Sequence, residues 1–365
     1  MREALLGRTR GELKELLKAR DPKPYRAHQL FEALYRRRIT ELQAATDLPA
    51  SLRAALSEAF VITDVEIADV FRASDGTRRY VLRLRDGVLV ESVWLPEPYA
   101  DTICLSTQAG CPLACAFCMT ARLGLRRNLE AGEIVAQVWL ILNDIYGPGM
   151  RPERGVNLVL MGMGEPLLNY ENVLKAIRLF CEPRGLNISQ RRITLSTAGV
   201  VPGIRRLAHE PIRPELAISL SATTNALRDR LMPINRRWPL EELQAACREY
   251  PLRRNEWISF EYVMLDDVND REEDARRLVR WLRGIRAKVN LIPHNPAPEL
   301  PFAASPEERI LRFQHILRAA GIPTFIRHPR GREIAAACGQ LAARRREDLT
   351  MLLASSPPRD VAARE

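Results

Sequence analysis

The stretch Gly110-Cys111-Pro112-Leu113-Ala114-Cys115-Ala116-Phe117-Cys118 contains three cysteines in a C-x3-C-x2-C spacing. We expect these residues to form one metal-binding loop. Iron–sulfur clusters are held by cysteine thiolates, usually four for a 4Fe–4S cluster. Here no fourth cysteine or histidine follows at metal-finger distance, so one iron would stay open to bind another molecule. A structural zinc site is the alternative, but it requires four closed ligands, commonly in pairs.

The same spacing, with Phe117 directly before the last cysteine, resembles the signature of the radical S-adenosylmethionine (SAM) superfamily. The resemblance implies that Cys111, Cys115 and Cys118 bind a 4Fe–4S cluster. It also implies that the open iron binds the amino and carboxylate groups of SAM. One electron then cleaves SAM to methionine and a 5′-deoxyadenosyl radical. Such a cofactor supplies the difficult chemistry, and the protein supplies position.

The bulk composition bounds the class of protein. The chain has 365 residues, 46% of them hydrophobic, which suffices for one large core and an appended small domain. It shows no N-terminal apolar segment of signal-peptide type and no apolar run long enough to span a bilayer. We therefore expect a cytoplasmic protein with no membrane partner. The cysteines number seven, an odd count, and the close spacing of three of them indicates metal binding or catalysis rather than a disulfide framework.

The net charge of +10 is compatible with a polyanionic partner. Only five of the 55 basic residues are lysines, however, and the other 50 are arginines. Coding bias could produce this excess of arginine, so the charge alone does not identify nucleic acid as the partner.

The first part of the chain is predicted to be helical and then to change to strands. Helices are expected over residues 11–20, 26–37 and 49–60. Strands are expected over Val61–Phe71, Arg78–Leu84 and Val88–Trp94, with a turn at Ser74-Asp75-Gly76. Arginines and aromatics of the helical part could contact RNA, or they could form a solvated basic face. These residues are Tyr25, Arg26, Tyr35 and Arg36.

After Asp101, strands and helices alternate, which predicts an α/β fold with a parallel sheet. The expected strands are Thr102–Ser106, Val156–Met161, Arg192–Ser196, Leu216–Leu220, Ile258–Met264 and Val289–Ile292. The expected helices are Glu130–Ile145, Glu171–Cys181, Val201–His209, Leu240–Tyr250, Arg271–Arg283 and 305–320, and Thr324–Arg327 could be a last strand. The radical SAM resemblance implies that the sheet curls into a partial (β/α)6 barrel.

This pattern divides the chain into four predicted parts. They are an N-terminal helical unit (1–60), a β-meander linker (61–98), the barrel with a C-terminal cysteine loop (99–345) and a flexible tail (346–365).

Polar residues follow the predicted barrel strands, where barrels place their active sites. The segment after the second strand, 161–166, resembles the SAM-binding motif of the superfamily, with Gly164 and Glu165 contacting the methionine part. Ser196 ends the third strand. The fourth strand ends in Ser219-Leu220-Ser221, and Asn295 follows the sixth. We expect these ends to bind SAM, although each residue alone could be a turn or cap residue.

Two cysteines outside the loop extend the resemblance to the RlmN family. Cys104 lies on the first barrel strand, and Cys338 lies in a displayed segment before Gly339, whereas Cys181 and Cys247 are expected to be core residues. The family resemblance covers residues 20–345. It is carried by Asp75-Gly76, Val90-Glu91-Ser92-Val93, Cys104, the cysteine loop, Gly164-Glu165-Pro166-Leu167, Leu231-Met232-Pro233-Ile234-Asn235, Phe260-Glu261-Tyr262-Val263-Met264, Asn290-Leu291-Ile292-Pro293 and Ala337-Cys338-Gly339-Gln340-Leu341.

The RlmN resemblance implies methylation of C2 of adenosine in 23S rRNA and tRNA, using two SAM molecules. Cys338 would accept a methyl group and, after hydrogen abstraction, become attached to C2, which suits a thiolate nucleophile. Glu91 would remove the C2 proton as general base. Cys104 would then resolve the adduct and form a transient disulfide with Cys338. A flavodoxin-type electron donor is implied, and a monomer is the default expectation.

The sequence departs from the family pattern at a few positions. Ser221 stands where histidine or asparagine is often found, His294 where a bulky aromatic is common, and Arg332-Glu333 where acidic pairs are usual. His294 could also be a metal ligand. The alternatives left open are C8 methylation of the same 23S rRNA adenosine, a different radical SAM activity, and a non-enzymatic RNA-binding protein with a structural metal.

Overall fold

Strands with alternating apolar residues form one large sheet in the protein. The structure, a computed structural model, describes residues 2–297, 299–328, 330–336 and 339–341. The strands are β1 (Glu3–Ala4), β2 (Phe60–Val61), β3 (Glu66–Arg72), β4 (Arg78–Arg83), β5 (Leu89–Leu95), β6 (Asp101–Cys104), β7 (Gln108–Gly110), β8 (Leu125–Asn128), β9 (Val156–Leu160), β10 (Ile193–Thr197), β11 (Glu215–Ser219), β12 (Ile258–Met264), β13 (Ala287–Pro293) and β14 (Thr324–Ile326).

Ten of these strands pair in the order β14-β13-β12-β11-β10-β9-β6-β5-β4-β3. The seven strands from β14 to β6 run parallel, and β5, β4 and β3 continue the sheet antiparallel. Within the described residues, β14 and β3 are the two edges and the sheet is not closed. The predicted radical SAM α/β fold is confirmed. The β-meander adds three strands to the same sheet, because β5 pairs with β6.

Three helices precede the large sheet, and the others connect its parallel strands, as parallel pairing requires. The first three are α1 (Arg10–Leu17), α2 (Pro24–Phe31) and α3 (Ala50–Ala59). The others are α4 (Met119–Arg122), α5 (Ala131–Tyr146), α6 (Tyr170–Cys181), α7 (Val201–Leu207), α8 (Asn225–Leu231), α9 (Leu240–Glu249), α10 (Glu272–Trp281) and α11 (Glu307–Ala319). A π-helical segment, Glu32–Arg36, continues α2. In the part of the chain that the structure describes, none of the helices combines the length and the apolar character needed to cross a membrane.

The N-terminal helices share one apolar core with the sheet. The indole of Trp139 on α5 donates to the carbonyl oxygen of Leu34 at 3.0 Å. Gly7 lies against Gly132, the second residue of α5, and a Cβ on Gly7 would fall 2.5 Å from the Gly132 backbone. Tyr35 is fully buried in this core. The prediction that Tyr35 could contact RNA is therefore wrong, because its ring is buried in the core that the N-terminal helices share with the sheet.

One predicted strand is split in the structure. Residues 61–71 were expected to be continuous, but Phe60–Val61 pairs in parallel with β1 in a separate two-stranded sheet. The chain then turns at Thr63, whose hydroxyl accepts from the Val65 amide at 3.1 Å, and β3 begins at Glu66. The pairing with β1 explains the break, because Phe60 and Val61 belong to the small sheet and therefore do not extend β3 in the large sheet.

Candidate active site

The loop with three cysteines is closed by a short β-hairpin. Strands β7 and β8 pair antiparallel on either side of it, and the Cys111 amide donates to the Gly124 carbonyl oxygen at 3.0 Å. Gly110 has φ +82°, and a Cβ there would lie 1.8 Å from the Gly124 oxygen. Only glycine fits at this position, so the residue before Cys111 allows the two strands to close the loop.

The segment after α8 supports the loop from a second side. The Ala116 amide donates to the Leu231 carbonyl oxygen at 2.9 Å. Leu231 and Met232 also pack with Cys111 in a small apolar cluster, separate from the main core. The residues 231–235, which carried the family resemblance without a role, therefore hold the cysteine loop.

The loop cysteines lie in an apolar environment that disfavours charge. Burial raises the pKa of the Cys111 thiol to about 12. Burial, together with the neighbouring loop cysteines, raises the pKa of Cys115 well above its ordinary value. Since a metal binds the thiolate, metal binding must displace these protons.

The donor set of the loop is three thiols, those of Cys111, Cys115 and Cys118. Backbone contacts and a small apolar cluster hold these residues on one loop. Cysteine thiolates are the ligands that iron–sulfur clusters use, so these residues are of the kind that could hold such a cluster.

The glycine–glutamate segment after β9 ties three strand ends together. Glu165 is buried, and its carboxylate accepts from the amides of Leu167 at 3.1 Å and Ala198 at 2.8 Å. Its own amide donates to the Gln108 side chain at 2.8 Å. Burial raises the pKa of Glu165 to about 7, against these hydrogen bonds. Contact of Gly164 and Glu165 with SAM remains a prediction.

The polar residues at the ends of β10 and β11 lie together, as predicted. The hydroxyl oxygens of Ser196 and Ser219 are 3.4 Å apart, and Leu220 and Ser221 are buried beside them. Ser221 has φ +50°, and its carbonyl oxygen accepts from the Asn269 amide group at 2.7 Å. Serine is not among the residues most enriched in this left-handed conformation, and the hydrogen bond from Asn269 stabilises it here.

The end of β13 carries Asn295 and His294, both buried. The His294 ring packs edge-on against Phe302, with ring centroids 6.2 Å apart, and burial lowers its pKa. His294 thus occupies its site as an aromatic residue. Among the described residues it belongs to no cluster of potential metal ligands.

Glu91 lies on β5, and its carboxylate is buried together with its ion-pair partner on β4. Arg79 on β4 forms an ion pair with Glu91, and the side chains are 1% and 0% exposed. The Arg79 guanidinium also lies over the Phe71 ring, 4.1 Å from its centroid. The Glu91 carboxylate is therefore held inside the protein by an opposite charge.

Cys104 lies on β6, next to the strand of Glu91. Cys104 is opposite Val93, two residues from Glu91, so both side chains project from the same face of the sheet. The Cys104 carbonyl oxygen accepts from the Ser92 hydroxyl at 3.0 Å. No disulfide joins two cysteines within the described ranges. Cys338 lies outside these ranges, so its pairing with Cys104 remains a prediction.

The residues that follow Cys338 contact the cysteine loop. The Met119 amide, directly after Cys118, donates to the Gly339 carbonyl oxygen at 2.8 Å. The Thr120 hydroxyl donates to the Leu341 carbonyl oxygen at 2.7 Å. The chain on this side of Cys338 therefore runs beside the predicted cluster ligands.

The residues before Cys338 contact the β3–β4 turn. The Asp75 carboxylate accepts from the Gly331 amide at 3.1 Å and pairs with Arg330, and Glu333 accepts from the Ser74 amide. Burial would raise the pKa of Asp75, but hydrogen bonds from Thr77, Gly331 and Arg330 lower it to about 2. The turn and the glutamate that departs from the family pattern thus hold this segment together.

Sequence reasoning missed two buried arginines, Arg79 and Arg228, that contact predicted site residues. In a chain with 50 arginines, no local pattern distinguishes them. The only signal for Arg228 was its position just before the segment 231–235.

Two family models match the chain. The Radical SAM superfamily model matches residues 105–279. The ribosomal RNA large subunit methyltransferase N-terminal domain model matches residues 4–62.

Similar proteins match over most of the chain. It is 50% identical over 333 residues to the dual-specificity RNA methyltransferase RlmN of Anaeromyxobacter dehalogenans, covering 91% of this chain and 89% of that protein. It is 49% identical to the probable dual-specificity RNA methyltransferase RlmN of Koribacter versatilis, covering 87% and 95%. The crystal structure of a radical SAM methyltransferase from Sphaerobacter thermophilus superposes with a TM-score of 0.89 at 45% identity, covering 94% and 100%.

The open parallel sheet, with its three-cysteine loop at the strand ends, is that of a radical SAM enzyme. More specifically, the chain belongs to the RlmN family of RNA methyltransferases. The similarity covers both its N-terminal part and the part that forms the parallel sheet.

Proposed function

We propose that the protein methylates C2 of adenosine in 23S rRNA and in tRNA, in the cytoplasm. The observation that carries this proposal is the 50% identity to a dual-specificity RNA methyltransferase over 91% of the chain. The match to the N-terminal domain model over residues 4–62 favours C2 over C8 methylation.

Cys111, Cys115 and Cys118 would hold a 4Fe–4S cluster, and the ends of β9, β10, β11 and β13 would hold SAM. Together the two groups supply a 5′-deoxyadenosyl radical when bound. The protein would enclose the cluster and SAM. The apolar cluster around the loop and the buried strand ends support this, since both keep water from a reactive site.

The proposed work of the protein side chains begins at Cys338. Its thiolate accepts a methyl group from one SAM, which leaves as S-adenosylhomocysteine. That methyl group would lose one hydrogen atom to the radical derived from a second SAM, and its carbon then bonds to adenine C2. The carboxylate of Glu91 accepts the C2 proton, and one electron would return from the adduct to the cluster. The Cys104 thiolate attacks the Cys338 sulfur, which breaks the sulfur–carbon bond and leaves a disulfide, and the released carbon takes up a proton to complete the methyl group. A flavodoxin-type donor would supply the two electrons that reduce this disulfide.

Glu91 and Cys104 fit these roles because they project from one face of neighbouring strands. The contact of Gly339 with Met119 brings the chain after Cys338 to the same end of the sheet as the cysteine loop. The ion pair with Arg79 fixes the position of the Glu91 carboxylate.

RNA would have to present an unpaired base, since chemistry on a base edge requires the base to leave its stack. We propose that the N-terminal unit, residues 1–60, contacts this RNA. Tyr25 is 49% exposed there and Arg36 is also exposed, and an exposed aromatic side chain can stack on a base. The meander (61–98) would connect this unit to the barrel (99–345).

The decisive experiment is nucleoside mass spectrometry after an anaerobic reaction. Reconstituted protein, SAM and a reductant are incubated separately with 23S rRNA fragments and with tRNA. We expect 2-methyladenosine from both RNAs. The appearance of 8-methyladenosine would instead support C8 methylation. A cluster-containing protein that methylates neither RNA would contradict the proposal.

Two variants test the cysteine roles in the same assay. Cys338→Ala should form no methylated adenosine, because the methyl carrier is lost. Cys104→Ala should accumulate a covalent protein–RNA adduct that wild type does not. Full activity of Cys338→Ala, or free release of product by Cys104→Ala, would show that these assignments are wrong. Cys181→Ala, which changes a half-buried cysteine on α6, is the matched control.

A further inference from the structure

Arg228 on α8 is the side chain that connects the predicted SAM-binding strand ends. Its side chain is fully buried. The guanidinium donates to the carbonyl oxygens of Ala198 at 2.6 Å, Ser219 at 3.2 Å and Leu220 at 3.2 Å. Its remaining nitrogen donates to the Asn235 side chain at 3.1 Å. One planar cation therefore fixes the main chain that follows β10 and β11.

All four of these acceptors are neutral oxygens, and in the described part of the chain no carboxylate forms an ion pair with Arg228. The adjacent Asp229 carboxylate accepts from the Asn235 side chain instead, at 2.7 Å. A buried cation without a paired anion is costly. A position of this kind is favourable when an anionic group occupies the neighbouring space.

The neighbouring space is that of the cysteine loop. The Met232 amide donates to the Arg228 carbonyl oxygen at 2.7 Å, at the end of α8. The neighbouring residue, Leu231, accepts a hydrogen bond from the amide of Ala116, which lies between two loop cysteines. Ala198, whose oxygen Arg228 binds, shares the small apolar cluster with Cys111.

We propose that Arg228 is a positioning residue that joins the SAM-binding strand ends to the cysteine loop and raises the reduction potential of the iron–sulfur cluster. This inference rests on the proposed function, since it requires the cluster. Reduction adds one electron to the cluster, so a buried positive charge nearby stabilises the reduced form more than the oxidised form.

The two parts of the role can be separated by substitution. Arg228→Lys keeps the charge but loses the planar fork that binds several oxygens at once. Arg228→Gln loses the charge. Arg230→Gln, on the same helix, removes an equal charge from an exposed position and is the matched control.

The test is a redox titration of the cluster, followed by electron paramagnetic resonance, in anaerobically reconstituted full-length protein without RNA. For Arg228→Gln we expect at least a tenfold lower ratio of reduced to oxidised cluster at a given potential, which is about 59 mV for one electron. Arg228→Lys and Arg230→Gln should stay near the wild-type potential.

SAM affinity, measured by the change that SAM causes in the same spectrum, reports the positioning part. We expect it to fall at least tenfold in Arg228→Lys and in Arg228→Gln but not in Arg230→Gln. If Arg228→Gln does not retain iron, Arg228→Met, which adds no buried polar group, takes its place.

A wild-type potential in the neutral variants would overturn the electrostatic part, and wild-type SAM affinity in Arg228→Lys would overturn the positioning part. The wild-type protein itself separates this inference from the proposed function. Without about four irons per chain and a reducible signal, the cluster itself is absent and both proposals fail. With them, only Arg228 is in question.

Discussion

Replacing Arg79 by methionine should strongly destabilise the protein, because the change removes a buried ion pair between Arg79 and Glu91. Both side chains of this pair are almost completely enclosed. Removing one partner of a buried ion pair costs about 3–5 kcal/mol. Unfolding entropy is about 2.1 cal/mol/K per residue, which for 365 residues gives about 0.8 kcal/mol per degree. The melting temperature should therefore fall by about 4–6 °C.

The double variant Arg79→Met/Glu91→Met should recover most of this loss. The Nε and Nη2 donors of Arg79 have no acceptor among the described residues, so the pair is incompletely satisfied. Replacing both partners of such a pair by apolar residues of similar volume is often neutral or stabilising. Methionine also keeps the apolar contact with the Phe71 ring, on which the guanidinium lies.

The assay is thermal unfolding of the purified variants at pH 7, followed by circular dichroism. The matched control is Arg83→Met, which breaks the ion pair with Glu66 between β3 and β4, where the side chains are 40% and 61% exposed. An exposed pair contributes about 0–1 kcal/mol, so this control should shift the melting temperature by about 1 °C or less. Equal shifts in Arg79→Met and Arg83→Met, or no recovery in the double variant, would refute the reasoning.

Three further predictions concern the cysteine loop and its surroundings. Gly110→Ala should lose most of the reconstituted iron, because its Cβ would lie 1.8 Å from the Gly124 oxygen; Gly87→Ala, with similar φ and open space, should keep it. Burial raises the pKa of Glu165 to about 7, so stability should fall by about 3 kcal/mol as pH rises from about 4.5 to about 7. Urea unfolding at pH 5 and pH 8 should show that the free energy of unfolding of Glu165→Gln depends less on pH than that of wild type. The same pH dependence in both proteins would contradict the prediction. Cys247→Ala, at a buried position where the thiol pKa is about 12, should retain wild-type iron, whereas Cys115→Ala should not.

Long periodic segments allowed most of the barrel to be predicted from the sequence. Strand β12 has its predicted ends, β9 ends one residue earlier than predicted, and β10 is shifted by one residue at both ends. Apolar residues alternate with polar ones along much of these strands, which is a strong local signal of a strand. The predictions failed where elements are short. The pairs β1–β2 and β7–β8 contain strands of two to four residues, too few to show a period.

The site was predicted in part, for a related reason. The cysteines and the serines at strand ends could be named because their spacing or their position after a strand is local information. The contacts that hold them could not be named. Ala116 meets Leu231, and Asp75 meets Gly331. These partners are far apart in the chain, and only the folded sheet brings them together.

The sequence alone therefore determined the class of protein and the order of the elements, because both depend on residues close together along the chain. The tertiary structure decided which of 50 arginines became internal. Arg79 is enclosed with Glu91, and Arg228 is enclosed between strand ends and the cysteine loop. A solvated arginine at the surface interacts weakly with other charges, whereas a buried arginine interacts strongly with them, because the interaction energy depends on the surrounding dielectric constant. That difference arises only when strands distant in sequence come together.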